Sequence, residues 1–221
     1  MKILVLACDK NEELFYPFWH CMEKYWPKHP EVIYLTDTIQ NPYYKTICIP
    51  CEIDTWTKAV RECLNQIDDN QILLMVDDCF IQKPVDNSRI EYLCSQLKGN
   101  VANINMAKSW HSADEPCYII GCKKRPHGAP YEVSICCGVW QKDKLLQVIA
   151  EDCSPWDVEY HQNNCNFEYY INENITIDWG WHKYGDWVGL CRGKWTRDAV
   201  ELFEREGITV DLGRKGIDLR W

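Results

Sequence analysis

The stretch that decides the fold is Ile72-Leu73-Leu74-Met75-Val76-Asp77-Asp78-Cys79-Phe80. Its first five residues are an unbroken apolar run, which is typical of a strand buried on both faces of a parallel sheet. Two adjacent carboxylates, those of Asp77 and Asp78, follow the strand at its carboxyl end. Open α/β sheets bind ligands at that edge. The stretch therefore predicts a central strand that leads directly into a candidate site.

Segments on either side of this strand alternate between strand and helix patterns. Apolar runs predict strands over residues 3–6, 32–35 and 46–49. Apolar residues at helical spacing predict helices over 14–26, 56–67 and 90–97, with Asp54 or Thr55 available to cap the second. Strands that alternate with helices of this length predict an α/β fold with a mostly parallel central sheet flanked by helices.

The second half of the chain is less regular. Strands are predicted over 101–104, 118–121 and 134–140, a short helix over 144–149 and a closing helix over 196–206 that stops at Gly207. Residues 111–131 read as a loop, and 153–186 are polar and aromatic without a clear period. Since no internal repeat or linker interrupts the chain, we expect a single domain over residues 1–221.

Composition excludes several classes of protein. With 24 Lys and Arg against 33 Asp and Glu among 221 residues, the net charge is −9, and such a surface repels a nucleic-acid backbone. The 11 Trp, 12 Tyr and 5 Phe exclude a disordered chain. No apolar run approaches the roughly 20 residues of a membrane span. The opening apolar run meets Asp9-Lys10 after six residues, which indicates a strand and not a signal peptide, so we expect a cytoplasmic protein.

Cysteine is abundant, with 14 residues. In the absence of an export signal we expect reduced thiols that pack as small apolar side chains. One C-x-x-C motif occurs, at Cys48 and Cys51, without the second pair that a structural zinc site requires. Metal or redox use of these thiols is the alternative.

The Asp77-Asp78 pair indicates a cation site. Adjacent carboxylates repel one another, so placing both at a strand end costs free energy unless a cation compensates. Mg²⁺ or Mn²⁺ held by one or two carboxylates and by substrate phosphates is the usual arrangement. The alternative is a simple turn, because Asp favours strand ends.

Two further clusters carry candidate chemistry. In Ser154-Pro155-Trp156-Asp157-Val158-Glu159 the serine can cap a helix that begins at Pro155. The two acids then either complement the helix dipole or supply a general base beside an aromatic platform for a sugar. In the segment 179–195 aromatics alternate with glycines and cations, so that Arg192 and Lys194 could neutralise a diphosphate. His182 is a candidate third metal ligand or a packing residue, and the two cations are alternatively a solvated face.

Taken in order, these pieces resemble the GT-A fold nucleotide-sugar glycosyltransferases, in particular small bacterial enzymes of capsule and lipopolysaccharide synthesis. The resemblance rests on Trp56 ahead of the strand ending in Asp77-Asp78-Cys79-Phe80, on Trp140 to Leu145, on Ser154 to Glu159 and on Arg192-Gly193-Lys194-Trp195. Val76 stands where a fuller D-x-D motif has its first acid.

The resemblance implies a GT-A domain whose residues 1–100 bind the nucleotide and whose residues 101–221 bind the acceptor and carry the catalytic groups. The implied reaction moves a sugar from a nucleoside diphosphate, with UDP expected, to a hydroxyl of a glycan or glycolipid, with inversion and with Mn²⁺ or Mg²⁺. A sugar-phosphate nucleotidyltransferase is one alternative, although the loop from Ala7 to Asn11 lacks that class's glycines. A non-catalytic glycan- or nucleotide-binding protein is another, and a partner protein or a homo-oligomer stays open.

The resemblance also assigns roles to individual residues. The nucleotide site would contain Ala7, Cys8, Asp9, Lys10, Asp37, Trp56, Lys58, Asp77, Arg192 and Lys194. Asp78 would be the direct metal ligand, supported by Asp77 and His182. Asp157 would be the base, with Glu159 orienting it or holding the acceptor hydroxyl, and Trp140 and Trp156 would bind the acceptor.

Overall fold

The computed structural model of the protein describes residues 1–106, 115–129, 131–161, 165–174, 176–178 and 189–218. Within these ranges the strands are β1 (Lys2–Leu6), β2 (Val32–Thr36), β3 (Lys45–Cys48), β4 (Gln71–Val76), β5 (Val101–Asn105), β6 (Glu115–Pro116), β7 (Cys122–Lys124), β8 (Gly138–Gln141), β9 (Glu168–Asn172), β10 (Leu190–Cys191) and β11 (Lys194–Trp195). The helices are α1 (Phe15–Tyr25), α2 (Trp56–Leu64), α3 (Asn87–Gln96), α4 (Lys142–Val148), α5 (Pro155–His161), α6 (Arg197–Glu206) and α7 (Leu212–Lys215).

Nine of these strands form one sheet in the order β3-β2-β1-β4-β8-β5-β9-β7-β6. Strand β1 pairs in parallel with β2 and β4, and β2 pairs in parallel with β3. Strand β8 runs antiparallel to both of its neighbours, and β5 and β9 are parallel to each other. The mostly parallel sheet predicted from the sequence is therefore confirmed.

Helices cover the sheet on both faces. Successive side chains of β4 alternate between two cores, with Leu73 and Met75 in one and Ile72 and Leu74 in the other, and none of the four is exposed to solvent. Helices α1, α3 and α6 contribute to the first core, and α2 and α4 contribute to the second. The strand β4 is therefore buried on both faces, as its unbroken apolar run predicts, because a strand covered by helices on both sides has no face exposed to water.

Two strand predictions for the second half were wrong in detail. Residues 118–121 form a bend and turn between β6 and β7 and not a strand, and 134–137 lie outside the strand β8 that follows them. Strand β9 arises within the stretch that has no sequence period.

None of the described helices combines the length and the apolar character needed to cross a bilayer. All fourteen cysteines are free thiols.

Candidate active site

A cleft of about 930 Å³ lies at the carboxyl ends of β1, β2 and β4. Its size falls within the roughly 300–1,000 Å³ of small-molecule sites. Among the predicted site residues, those that line it are Ala7, Cys8, Lys10, Asp37, Trp56, Asp77, Asp78, Trp156 and Arg192. The cleft thus lies at the edge of the sheet that the sequence predicts as the site, and most of the predicted site residues line it.

Asp77 lies at the floor of the cleft with only 5% of its surface exposed. Its backbone N–H donates to the carbonyl oxygen of Leu6 at 3.2 Å, which fixes the turn after β4 against β1. No hydrogen-bond donor in the described part of the chain reaches its buried Oδ2. Burial, together with the neighbouring Asp78 charge, holds the pKa of Asp77 well above its usual value. Lys215 opposes this shift, but it is itself paired with Glu13 at 3.1 Å.

Asp78 is the more accessible of the two acids. Its Oδ2 accepts a long hydrogen bond from the backbone N–H of Leu190 at 3.4 Å, and burial raises its pKa to about 6. In the described residues no group of three His, Cys, Asp or Glu side chains could hold a metal, and the predicted ligand His182 lies outside them. The two carboxylates, one with a buried oxygen lacking a donor, nevertheless suit a hard cation whose other ligands are substrate oxygens and water.

The hairpin of β10 and β11 lies against this pair of acids. Its turn residues Arg192 and Gly193 both have positive φ, 51° and 75°, as a type I′ hairpin turn requires. A Cβ on Gly189 would lie 2.5 Å from the Cβ and 2.7 Å from the carbonyl oxygen of Asp78. Only glycine therefore permits this approach, and sequence reasoning missed Gly189 because nothing local marks it. Lys194, predicted beside Arg192, is exposed and does not line the cleft.

Asp9, which was predicted in the nucleotide site, is not part of the cleft lining, and its carboxylate binds the turn after β2. Its carboxylate accepts the Thr38 hydroxyl and the backbone N–H groups of Asp37, Thr38 and Ile39. Burial raises the pKa of Asp9, but these hydrogen bonds outweigh burial and hold the pKa below its usual value. In return, the Asp9 N–H donates to Oδ2 of Asp37 at 3.2 Å. Asp9 thus positions Asp37, which does line the cleft.

Two other predicted residues lie away from the cleft. Lys58, on α2, is exposed and is not part of the lining. Trp140, in β8, has no exposed surface and packs edge-on against Tyr169 with ring centroids 6.0 Å apart. A ring buried in the core cannot stack on a sugar, so the prediction that Trp140 binds an acceptor was wrong.

Helix α5 borders the cleft through Pro155 and Trp156, and Trp156 is 59% exposed. Oδ2 of Asp157 accepts the N–H of Ser154 at 3.1 Å and its hydroxyl at 2.6 Å, while the Ser154 Oγ accepts the Asp157 N–H at 3.2 Å. This reciprocal pairing is a helix cap, so the capping interpretation of Asp157 is realised. Asp157 itself is not part of the cleft lining.

Glu159, two residues further along α5, also lies outside the lining. Its Oε1 accepts the backbone N–H of Ile135 at 3.1 Å. Burial raises its pKa, and the hydrogen bonds and the charge of Arg125 moderate the rise. Because Ile135 lines the cleft, Glu159 joins α5 to the cleft wall.

No family model and no curated protein matches the chain, but solved structures do. A nucleotidyl transferase from Methanothermobacter thermautotroptrophicus matches with 9% identity and a TM-score of 0.53, over 93% of this chain and 97% of that one. A cytidylyltransferase from Leptospira borgpetersenii matches with 12% identity and a TM-score of 0.49, over 80% and 77%. The galactosyltransferase LgtC, in complex with donor and acceptor sugar analogs, matches with 10% identity and a TM-score of 0.43, over 72% and 69%.

The chain spans less than two thirds of some other matched proteins, for example 44% of the bifunctional IspDF from Campylobacter jejuni. At these identities the likeness concerns the fold alone, and for the Methanothermobacter nucleotidyl transferase it extends over almost the whole of both chains. The chain thus has the mostly parallel α/β fold predicted from its sequence, and it shares that fold with a nucleotidyl transferase.

Proposed function

We propose that the protein is a glycosyltransferase that moves a sugar from a nucleoside diphosphate, with UDP expected, to a hydroxyl of a glycan or glycolipid. The observation that supports this proposal best is the Asp77-Asp78 pair. The pair consists of two desolvated carboxylates, one with a buried oxygen that lacks a donor, at the floor of a cleft whose volume lies in the range of small-molecule sites. Such a pair suits Mn²⁺ or Mg²⁺ together with a diphosphate.

The cleft offers a place for each part of the donor. Asp37 and Trp56 lie on the side of β2 and α2, where a nucleoside would bind, and Lys10 and Arg192 bring positive charge to the lining. A cation held by Asp78 and Asp77 would act as a Lewis acid on the diphosphate. Arg192 would neutralise the charge that develops on the leaving nucleoside diphosphate, and the hydrogen bond from Leu190 would orient Asp78.

The acceptor would bind on the side of α5. The exposed ring of Trp156 provides a flat face for a sugar beside the donor site. Asp157 is proposed to take the proton of the acceptor hydroxyl as the new bond forms, which gives an inverting reaction. Ser154 holds Oδ2 of this carboxylate through a hydroxyl and a backbone N–H. The cap would therefore also fix the orientation of the base.

The experiment that tests the reaction identifies the phosphorus-containing product. The protein is incubated with UDP-, GDP-, CDP- and TDP-sugars and Mn²⁺, and separately with nucleoside triphosphates and sugar phosphates. We expect release of a nucleoside diphosphate from one class of donor, and a loss of about 100-fold or more in Asp78→Asn. Asp143→Asn, an exposed acid on α4, is the matched control.

Two other results would point elsewhere. Release of pyrophosphate from a triphosphate would show a nucleotidyltransferase, and tight binding of nucleotide sugars without turnover would show a binding protein. Transfer that persists in EDTA and in Asp78→Asn would refute the metal site.

Two variants distinguish a role of Asp157 as the base from a role in the helix cap alone. Asp157→Asn and Ser154→Ala both disrupt the cap and should lower the free energy of unfolding by about 1 kcal/mol. Asp157→Asn should also reduce kcat by 100-fold or more while it leaves donor affinity unchanged. Ser154→Ala keeps the carboxylate and the backbone N–H that binds it, so its effect on kcat should be far smaller. Equal effects of the two variants on kcat would show that Asp157 is a cap alone.

A further inference from the structure

A stripe of exposed aromatic rings leads away from the cleft along α5. Trp156 and Tyr160 are four residues apart and so share one face of the helix. Their exposed fractions are 59% and 54%. Trp156 lines the cleft, and Tyr160 lies one turn further on, a rise of about 6 Å along the axis. That spacing is comparable with the size of one pyranose ring.

Tyr131, which is partly buried, adjoins the stripe from a different part of the chain. Its ring packs against Tyr160 with centroids 4.8 Å apart and an interplanar angle of 60°, and the two phenol hydroxyls are hydrogen-bonded to each other. Tyr131 has a positive φ of 57°. A bulky residue rarely adopts this conformation, and its surroundings must impose it.

Buried charged groups hold Tyr131 in that conformation. Arg125, only 4% exposed, donates through Nη1 to the carbonyl oxygen of Tyr131. Glu132, also 4% exposed, accepts the backbone N–H of Gly128 at 2.7 Å and lies 3.1 Å from Nδ1 of His127. Since burying charged groups is costly unless they are paired, these paired groups restrain the backbone at Tyr131.

The helix that carries the other two rings is anchored to the same region. Oε1 of Glu159 accepts the N–H of Ile135, a residue of the cleft wall, at 3.1 Å. The positive charge of Arg125 also acts on Glu159. Trp156, Tyr160 and Tyr131 are therefore presented on a preorganised surface that continues from the cleft, which lowers the entropic cost of binding.

We infer that Tyr160 and Tyr131 form a second acceptor subsite, so that the acceptor is an oligosaccharide of at least two sugar residues. The sugar that receives the transfer would stack on Trp156, and the next sugar would lie on Tyr160 and Tyr131. The flat ring faces suit the C–H face of a pyranose, and the phenol hydroxyls can exchange hydrogen bonds with sugar hydroxyls. This inference rests on the proposed function, because it concerns the acceptor of that reaction.

The test compares acceptors of one to four sugar residues in otherwise identical series, starting with glucose, cellobiose and cellotetraose and with the equivalent galactosides. We expect kcat/KM to rise between one and two residues. In Tyr160→Ala the ratio of disaccharide to monosaccharide kcat/KM should fall about tenfold, the loss expected when one stacking contact is removed. Tyr160→Phe retains the ring and should restore most of the ratio. Tyr43→Ala, which removes a 39% exposed tyrosine outside the cleft lining, is the control.

A binding measurement separates this inference from the proposed reaction. Saturation-transfer NMR detects the same oligosaccharides on the protein without turnover. If disaccharides bind and Tyr160→Ala weakens them, the subsite stands even when no transfer is found. If transfer occurs without dependence on acceptor length, or if the ratio is unchanged in Tyr160→Ala, the subsite is refuted while the reaction stands. Absence of any oligosaccharide binding and of any length dependence would also overturn it.

Discussion

Replacing Gly189 by alanine should disturb the cleft without changing any of the charged residues that line it. The added Cβ would lie 2.5 Å from the Cβ of Asp78, 2.7 Å from its carbonyl oxygen and 2.9 Å from its Cα. Two of these three atoms belong to the backbone, so a change of side-chain rotamer cannot relieve the contact. Either the hairpin of β10 and β11 or the turn that carries Asp78 must move.

The size of the movement follows from the distances. Non-bonded carbons approach favourably to about 3.5 Å, so the hairpin and Asp78 must separate by roughly 1 Å. Overpacking of this kind costs about 1–3 kcal/mol of folding free energy. A displacement of about 1 Å in a reacting group can reduce the rate about 100-fold. It would also weaken the hydrogen bond from Leu190 to Asp78, which is already 3.4 Å long.

Urea unfolding and steady-state kinetics together test this prediction. Gly138→Ala is the matched control, since its Cβ would lie 2.4 Å from Nδ2 of Asn103 within the sheet and not at the cleft. Both variants should lose stability, but only Gly189→Ala should raise the KM for the donor or the Mn²⁺ concentration needed for activity. If Gly189→Ala lost stability while its donor and metal dependence stayed as in the wild type, the proposed coupling between the hairpin and Asp78 would be refuted.

Three further predictions follow from the charged groups. Burial raises the pKa of Asp78 to about 6, above the roughly 3.9 of an unfolded aspartate, so this group destabilises the fold increasingly as pH rises from about 4 to 6. Asp78→Asn should therefore raise the free energy of unfolding at pH 7 by about 1–3 kcal/mol, a gain that disappears below about pH 4. Asp9→Asn should lower the free energy of unfolding by about 2 kcal/mol at pH 7. Because the pKa of Asp9 is depressed, urea unfolding should show this loss fading as pH falls through the folded pKa. An unchanged stability would contradict the contacts of Asp9 with the turn. Glu206 accepts hydrogen bonds from Lys24 at 2.5 Å and from Tyr25 at 2.7 Å. Burial raises the pKa of Glu206, but these contacts outweigh burial and lower the pKa to about 2. Glu206→Gln should therefore cost about 2 kcal/mol at pH 7, and the deficit should shrink from about pH 4.5 towards pH 2; a deficit independent of pH would refute the assignment.

The first half of the fold was predictable because its signals are local. The apolar run of β4 and the helical spacing of α2 each lie within one element, and the position of the Asp77-Asp78 pair follows from the end of a strand. The topology of open sheets then places the cleft. These inferences need no knowledge of which distant residues meet.

The remaining features depend on contacts between distant parts of the chain. Tyr169 and Tyr170 of β9 are both buried, but they point into opposite cores, so their strand shows no alternation of apolar and polar residues. The role of Asp9 depends on backbone N–H groups 28 to 30 residues away. Gly189 is required because it contacts Asp78, which lies 111 residues away in the sequence. Trp140 looks like a possible ligand-binding ring in the sequence, and only the structure shows that it is buried.

The central claim is that Asp77 and Asp78 hold a divalent cation together with the diphosphate of a nucleotide donor. Crystals of the wild type and of Asp78→Asn, each soaked with UDP and Mn²⁺, test it through the anomalous scattering of manganese. We expect a manganese peak within coordination distance of an Asp78 carboxylate oxygen and of the diphosphate in the wild type, and no such peak in the variant. A diphosphate bound elsewhere, or a wild-type cleft that takes up UDP without manganese at these carboxylates, would contradict it.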